Sequence, residues 1–395
     1  MGKYNFSRIA NRLNTNSYKY DEIDPHILPM WVADMDFEVF PKIKETIISR
    51  ANISCYGYTK VPDEYFLAYK NFYKRHHNVD FEISDCIYCS GVISAIDVIF
   101  RNLIEKGKGV VVQTPIYPTF FSCIKNNELI AVENKLKYCG NTYEIDYLDL
   151  ENKLKLESTK VLLLCNPHNP TGYLFSVEEL NRIAKLCKDN NVLLISDEIH
   201  GEIVVPGYTY HSILEIDEKY LDNVIALFAG SKCFNIAGLH SACIIIKNRK
   251  MKEIVEKAVY KDDVGEANYF ACDANIVAFN EGDEWLKEMN EYVAKNKEYV
   301  YGFFKNEKVN VIKSHSTYLL WIDLSSYISD SKEFTDKLKK DTGLWLSNGK
   351  DFLGNGQYFV RMNVATSLDN VKEGCKRLLN YLKIKRKSGM DRALK

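Results

Sequence analysis

Between residues 84 and 250, short apolar runs alternate with amphipathic stretches. The runs at 109–113, 160–165, 192–196, 224–228 and 242–247 are of strand length and rich in Val, Ile and Leu. They lack polar alternation, the pattern of strands covered on both faces. Between two of them, Ser176 is followed three residues later by Glu179, a capping box. Leu180, Ile183, Ala184 and Cys187 then recur at helical spacing. A second helix is predicted over 92–106, with Ile93, Ile96, Ile99, Phe100 and Leu103 on one face and Gly107 as its stop. Alternating strands and helices predict an α/β fold: a large domain with a mostly parallel sheet flanked by helices.

The C-terminal third has another texture. Residues 284–304 form a long helical pattern that could cross between domains. Residues 317–324 and 358–363 have strand character, and Leu368, Val371, Cys375, Leu378, Leu379 and Leu382 mark a last amphipathic helix. A smaller α+β domain is expected there. The division predicted is an N-terminal arm, 1–48, joining the small domain; a large domain, 49–285; and a small C-terminal domain, 286–395. The basic stretch 383–395 is expected to be a solvated tail.

Composition narrows the functional classes. The 52 Lys and Arg residues against 53 Asp and Glu give a net charge of −1, without the field that nonspecific nucleic-acid binding needs. No run approaches the ~18 apolar residues of a membrane span, and residues 1–12 lack the apolar core of a signal peptide. No nucleic-acid or membrane partner is expected. Among the eleven cysteines, the one close spacing is Cys86-x-x-Cys89, without a second pair or a histidine at zinc spacing. Reduced, partly buried thiols in a cytoplasmic protein are expected, and no metal.

Candidate chemistry sits after the apolar runs. The landmarks are Ser90-Gly91-Val92, Asn166-Pro167-His168-Asn169-Pro170-Thr171-Gly172, Ser196-Asp197-Glu198 and Ser231-Lys232. In open α/β sheets ligands sit outside the carboxyl ends of strands, so these segments could share one crevice. Ser90-Gly91-Val92 opens a helix, as a plain cap or as a phosphate seat. Asp197 is either a structural cap or the holder of a cation. Lys232 is either solvated or, in an enclosed pocket near other cations, a Schiff-base former. Asn169 either bonds its own turn or donates to a ligand. Arg361, inside an apolar run, is either in a structural ion pair or a clamp for a carboxylate. Taken together, these groups match the needs of pyridoxal phosphate holding an amino acid.

The blocks Asn166–Gly172, Ser196–Glu198, Ser231-Lys-Cys-Phe-Asn-Ile-Ala-Gly238 and Arg361-Met-Asn363 resemble the signatures of fold-type I pyridoxal-phosphate enzymes of the class I/II aminotransferase superfamily. The resemblance runs from about Trp31 to Leu382. It implies pyridoxal 5'-phosphate as cofactor and Lys232 as its Schiff-base lysine. It implies Asp197 at the pyridine nitrogen, Asn169 at the ring oxygen and Tyr117 stacked on the ring. It implies Ser90, Gly91, Val92 and Ser231 around the phosphate, and Arg361 on the substrate α-carboxylate. Tyr58, in Tyr56-Gly-Tyr-Thr59, matches a tyrosine that reaches the neighbouring subunit's phosphate, so a homodimer with shared active sites is implied.

Three positions depart from the general aminotransferase pattern. His200 stands at the cofactor site where many have Tyr, His240 where they usually have Arg, and Pro29-Met-Trp-Val-Ala-Asp-Met-Asp-Phe37 replaces a glycine-containing segment. All three are similar to the carbon–sulfur lyase branch of cystathionine β-lyase type. The implied activity is β-elimination from L-cystathionine or related cysteine S-conjugates. An aminotransferase using the same residues is the alternative. A non-catalytic role is disfavoured by the intact lysine, aspartate and arginine.

Overall fold

The computed structural model describes residues 2–21 and 24–393, with side chains through residue 384. Seven strands build the large sheet: β1 (Cys86–Cys89), β2 (Gly109–Thr114), β3 (Ile130–Lys135), β4 (Thr159–Cys165), β5 (Leu193–Asp197), β6 (Val224–Phe228) and β7 (Ala242–Ile245), in the order β1-β7-β6-β5-β4-β2-β3. All neighbours are parallel except that β7 runs antiparallel to both β1 and β6. The mostly parallel α/β sheet is therefore as expected. The run predicted at 242–247 forms a strand through Ile245.

Both faces of this sheet are covered, which explains the unbroken apolar runs. Val111, Leu162, Leu164, Leu194 and Phe228 pack into one apolar layer. Val110, Val112, Val161, Leu163, Ile195 and Leu227 pack into the other. Helix α1 (Val92–Leu103) belongs to the second layer and α2 (Val177–Asp189) to the first. In α2 the Ser176–Glu179 capping box is closed in both directions, and Leu180, Ile183, Ala184 and Cys187 are buried. The predicted stop of α1 needs correction. Ile104 already leaves in an extended conformation, and Gly107 serves the next turn with φ +77°. Ile104 packs against the same layer as the helix, so burial rather than glycine ends it.

The later part of the chain carries a four-stranded antiparallel sheet of β8 (Asn310–Val311), β9 (Leu319–Asp323), β10 (Ser347–Asn348) and β11 (Phe359–Asn363), in the order β8-β9-β11-β10. Helices α3 (Asp283–Phe304), α4 (Ser331–Thr342) and α5 (Leu368–Ala393) accompany it. A parallel pair, Leu28–Pro29 with Leu344–Trp345, ties the N-terminal segment to this region. The stretch predicted as a tail continues α5 as far as Ala393. The expectation that its side chains are solvated lies outside the described residues from position 385 onward.

Nine cysteines are buried, while Cys55 and Cys139 are exposed, and none of the eleven is in a disulfide. Among the described residues no helix is long and apolar enough to cross a membrane, and no group of His, Cys, Asp or Glu is placed to hold a metal ion.

Candidate active site

Five segments leave the carboxyl ends of the parallel strands. Ser90 follows β1, Tyr117 follows β2, Asn169 follows β4, Asp197 ends β5 and Lys232 follows β6. Arg361 comes from β11 of the other sheet. Lys232, Tyr117 and Arg361 line one cavity of about 440 Å³ between the two sheets.

Lys232 donates from Nζ to the Ala33 carbonyl at 2.7 Å, and the Tyr318 hydroxyl donates to that same oxygen at 3.0 Å. Burial pulls the lysine below its ordinary value and Arg361 adds to this, against Asp34 and Asp197, which push it up. A cation near a second cation and largely out of water loses its proton more easily.

The segment 31–37 is a row of acceptors for side chains from distant parts of the chain. The Trp31 carbonyl takes Arg361 Nη2 at 3.0 Å and the Ser347 hydroxyl at 2.6 Å. The Val32 and Asp34 carbonyls take Asn363 Nδ2 at 2.7 and 2.8 Å. Beneath it lies a buried ion pair, Lys19 with Asp36, at 2.7 Å. This is why an irregular segment is held rigidly beside Lys232.

Arg361 is 5% exposed. Nη1 donates to Asn169 Oδ1 at 3.0 Å, and Nη2 to the Trp31 carbonyl and, at 3.4 Å, to Ser347 Oγ. Among the described residues its hydrogen bonds all go to neutral oxygens, and Nε is buried without a partner. A structural ion pair is therefore not its role. Burial lowers the guanidinium to about 10, opposed by Tyr117 and Tyr318.

The turn that carries Asn169 is held on two sides. His168, which burial pulls down to about 4, is neutral. Its Nε2 donates to the Gln113 carbonyl at 3.1 Å, leaving Nδ1 to accept from the Thr171 hydroxyl at 2.9 Å. Gly172 has φ +68°, and a Cβ there would lie 1.9 Å from Ser314 Oγ, so glycine is required. With the Asn169 oxygen engaged by Arg361, its amide N–H groups are the donors that remain.

Asp197 is buried, and burial pushes its carboxyl up to about 7 against a hydrogen bond from the Ile199 N–H at 3.1 Å. Glu198 beside it has a structural task. Its carboxylate accepts from Ser196 and Ser212 hydroxyls at 2.8 and 2.7 Å, from the Ile213 N–H at 2.8 Å, and from Tyr210. His200 is buried with Nδ1 unpartnered, and burial, then Lys232 and Arg361, hold it well below its ordinary value.

Gly91 caps α1, whose first-turn N–H groups have no partner within the helix. A Cβ on Gly91 would meet open space, so the approach to this end is clear. Ser90 spends its own N–H on the Val264 carbonyl at 2.8 Å, leaving its hydroxyl and the N–H groups beyond it. Val92 is buried, and Ser231 is half-buried at the start of the Lys232 turn. Two residues stand apart. Tyr58 is 99% exposed and lines a separate cavity with Tyr88 and Tyr260. The His240 ring is exposed, and its carbonyl accepts from the Tyr88 hydroxyl at 3.0 Å.

These groups fit pyridoxal phosphate chemically. A buried carboxyl forced up by burial is relieved by a protonated ring nitrogen. An open helix N-terminus with the Ser90 hydroxyl next to it suits a phosphate. A shielded lysine suits a carbonyl carbon. Sequence reasoning missed the Ala33 and Trp31 carbonyls. The unusual 29–37 block was their one visible signal.

Comparison with known proteins agrees with the architecture. The profile of the family "Aminotransferase class I and II" matches residues 12–378. The chain is 32% identical over 381 residues to the cystathionine beta-lyase PatB of Bacillus subtilis strain 168, covering 95% of this chain and 98% of that one. Cystalysin from Treponema denticola, which contains a pyridoxal 5'-phosphate cofactor, superposes with a TM-score of 0.91 at 31% identity, over 96% of this chain and 99% of that one. A provisionally assigned aminotransferase from Clostridium difficile 630 with the cofactor bound gives 0.93 at 32%, over 96% and 100%. The chain belongs to the aminotransferase class I and II family.

Proposed function

We propose that the chain is a pyridoxal-phosphate-dependent carbon–sulfur β-lyase of the cystathionine β-lyase type. It converts L-cystathionine and water, or related cysteine S-conjugates, to a thiol, pyruvate and ammonia. The observation that carries this reading is Lys232, held by the Ala33 carbonyl of the 29–37 block in a cavity it shares with Arg361. That block separates the lyase branch from the general aminotransferase pattern, and the similarity to PatB and cystalysin supports the same choice.

In this reading Lys232, Asp197, Asn169, Tyr117, His200, Ser90, Gly91, Val92 and Ser231 hold the cofactor. When bound, it supplies an electron sink for the pair left on Cα. Arg361 binds the substrate α-carboxylate through the donors that Asn169 and Trp31 leave free. Asn169 and the Trp31 carbonyl fix the guanidinium plane, so the substrate enters in one orientation. Lys232, whose proton is loosened by desolvation and by Arg361, takes the Cα proton as general base. Asp197 keeps a proton on the ring nitrogen by its charge. His200, neutral and buried, offers a hydrogen-bonding Nδ1 without adding charge.

The exposure of Tyr58 supports a role across a subunit boundary, and we propose a homodimer with shared sites. The proposal includes an N-terminal arm, 1–48, that joins the small domain, a large cofactor-binding domain, 49–285, and a small C-terminal domain, 286–395. A reducing cytoplasm suits eleven free thiols. The function is tested by incubating cofactor-loaded enzyme with L-cystathionine and no 2-oxo acid. Pyruvate and homocysteine released in equal amounts support the lyase. Turnover that requires an added 2-oxo acid refutes it.

A further inference from the structure

The cavity that holds Lys232 and Arg361 has a second wall that the chemistry above does not use. The rings of Trp31 and Trp345 stack with centroids 4.5 Å apart and planes 15° apart, and Tyr18 leans on Trp31 at 5.4 Å. The parallel pairing of Pro29 with Trp345 brings these two parts of the chain together. Lys339, in the last turn of α4, sits over Trp345 with Nζ 3.2 Å from the ring centroid. Among the described residues no Asp or Glu forms an ion pair with Lys339. Asp336, one turn earlier, lines the same cavity and interacts with it only at longer range. Besides Lys232, the cavity is thus lined by two basic side chains that form no ion pair among the described residues, Arg361 and Lys339. They are joined by the Trp31 carbonyl, which binds Arg361, and then by the stacked indoles.

We infer that Trp31, Trp345 and Lys339 form the distal half of the substrate site, selecting cysteine S-conjugates whose departing thiol ends in a carboxylate. The inference rests on the lyase reading and specifies its substrate class. An aliphatic thioether is apolar and polarisable, and sulfur packs favourably against aromatic rings. A carboxylate at the far end then meets an ammonium already partly stripped of water by Trp345, where a charge-assisted hydrogen bond gains most. Burial lowers the Lys339 ammonium, so an incoming anion relieves a cost already present. A thiol part with an uncharged end would fill the indole wall and leave Lys339 as it is.

The test uses a matched pair, S-(2-carboxyethyl)-L-cysteine and S-propyl-L-cysteine, which differ at the carboxylate. The quantity read is the ratio of their kcat/KM values on the cofactor-loaded enzyme. The wild type should favour the acid. Lys339→Met should lower the ratio by about tenfold or more, as expected for one hydrogen bond to a charged group, and Lys339→Arg should restore most of it. A ratio that Lys339→Met does not move overturns the inference, whatever happens to the two rates singly. If the wild type releases pyruvate from neither compound, the L-cystathionine assay above decides the lyase reading separately. Calorimetric binding of the same pair to wild type and Lys339→Met then decides the inference by whether the carboxylate preference follows Lys339.

Discussion

Replacing Arg361 with lysine keeps the charge and changes its shape. Of the five guanidinium N–H donors, three are engaged with Asn169, Trp31 and Ser347. The donors on Nε and on one side of Nη1 remain for a carboxylate. A lysine ammonium has three donors at one point, and two acceptors, Asn169 Oδ1 and the Trp31 carbonyl, already compete for them. One or two charge-assisted hydrogen bonds to the substrate are therefore lost at a buried site, costing about 2–5 kcal/mol. That is a fall in kcat/KM of about 30-fold to several thousandfold. The assay compares an S-alkyl-L-cysteine with the S-alkyl-cysteamine that lacks the α-carboxylate. Binding of each is measured on wild type and Arg361→Lys, alongside turnover of the amino acid. The preference for the carboxylated compound should collapse in the variant while the cofactor's visible absorbance stays. If the preference survives Arg361→Lys intact, the α-carboxylate is bound elsewhere.

Asp197→Asn should leave cofactor bound but cut turnover by about a thousandfold, because its charge acts on the transition state. A rate near wild type in that variant would remove Asp197 from the role. Lys232→Ala and Tyr58→Phe chains, each inactive alone, should recover pyruvate release when mixed into heterodimers, since one site then has both native side chains. Proven heterodimers of two inactive variants without recovery would argue that Tyr58 does not act across the interface. His77 bears on stability. Burial pulls its pKa down, but Glu202 at 2.8 Å, with Glu215, outweighs this and raises it above 6.5. Its contribution is thus fully present below 6.5 and fades as pH rises through the higher folded value. His77→Gln should cost about 1–2 kcal/mol near pH 6 and less near pH 9, read by thermal denaturation. An equal loss at both pH values would contradict the sign.

Residues at strand ends were the legible part of the site. A polar group at the end of an unbroken apolar run, as at Asp197, or a few residues past it, as at Lys232, marks the carboxyl edge of a buried strand. Arg361 stood out as a charge inside such a run. The fold class followed from the same runs, but the direction of β7 did not, since an apolar run looks alike read either way. Its antiparallel placement is set by which loops it must join. Backbone acceptors carry no side-chain signature, so Ala33 and Trp31 were invisible as partners of Lys232 and Arg361. Trp345 and Lys339 lie more than 300 residues from Trp31, and a pairing two residues long brings them together. Gly107 misled because its left-handed turn lies beyond a helix already ended by the packing of Ile104.

A β-lyase expels a thiol from this site and does not trade amino groups. One reaction tests it: cofactor-loaded enzyme, L-cystathionine isotopically labelled at the nitrogen of its cysteine half, and an excess of a 2-oxo acid. A lyase releases the label as ammonia, with pyruvate and homocysteine formed alongside. Label recovered in the amino acid made from the 2-oxo acid, with the carbon–sulfur bond intact, would contradict it.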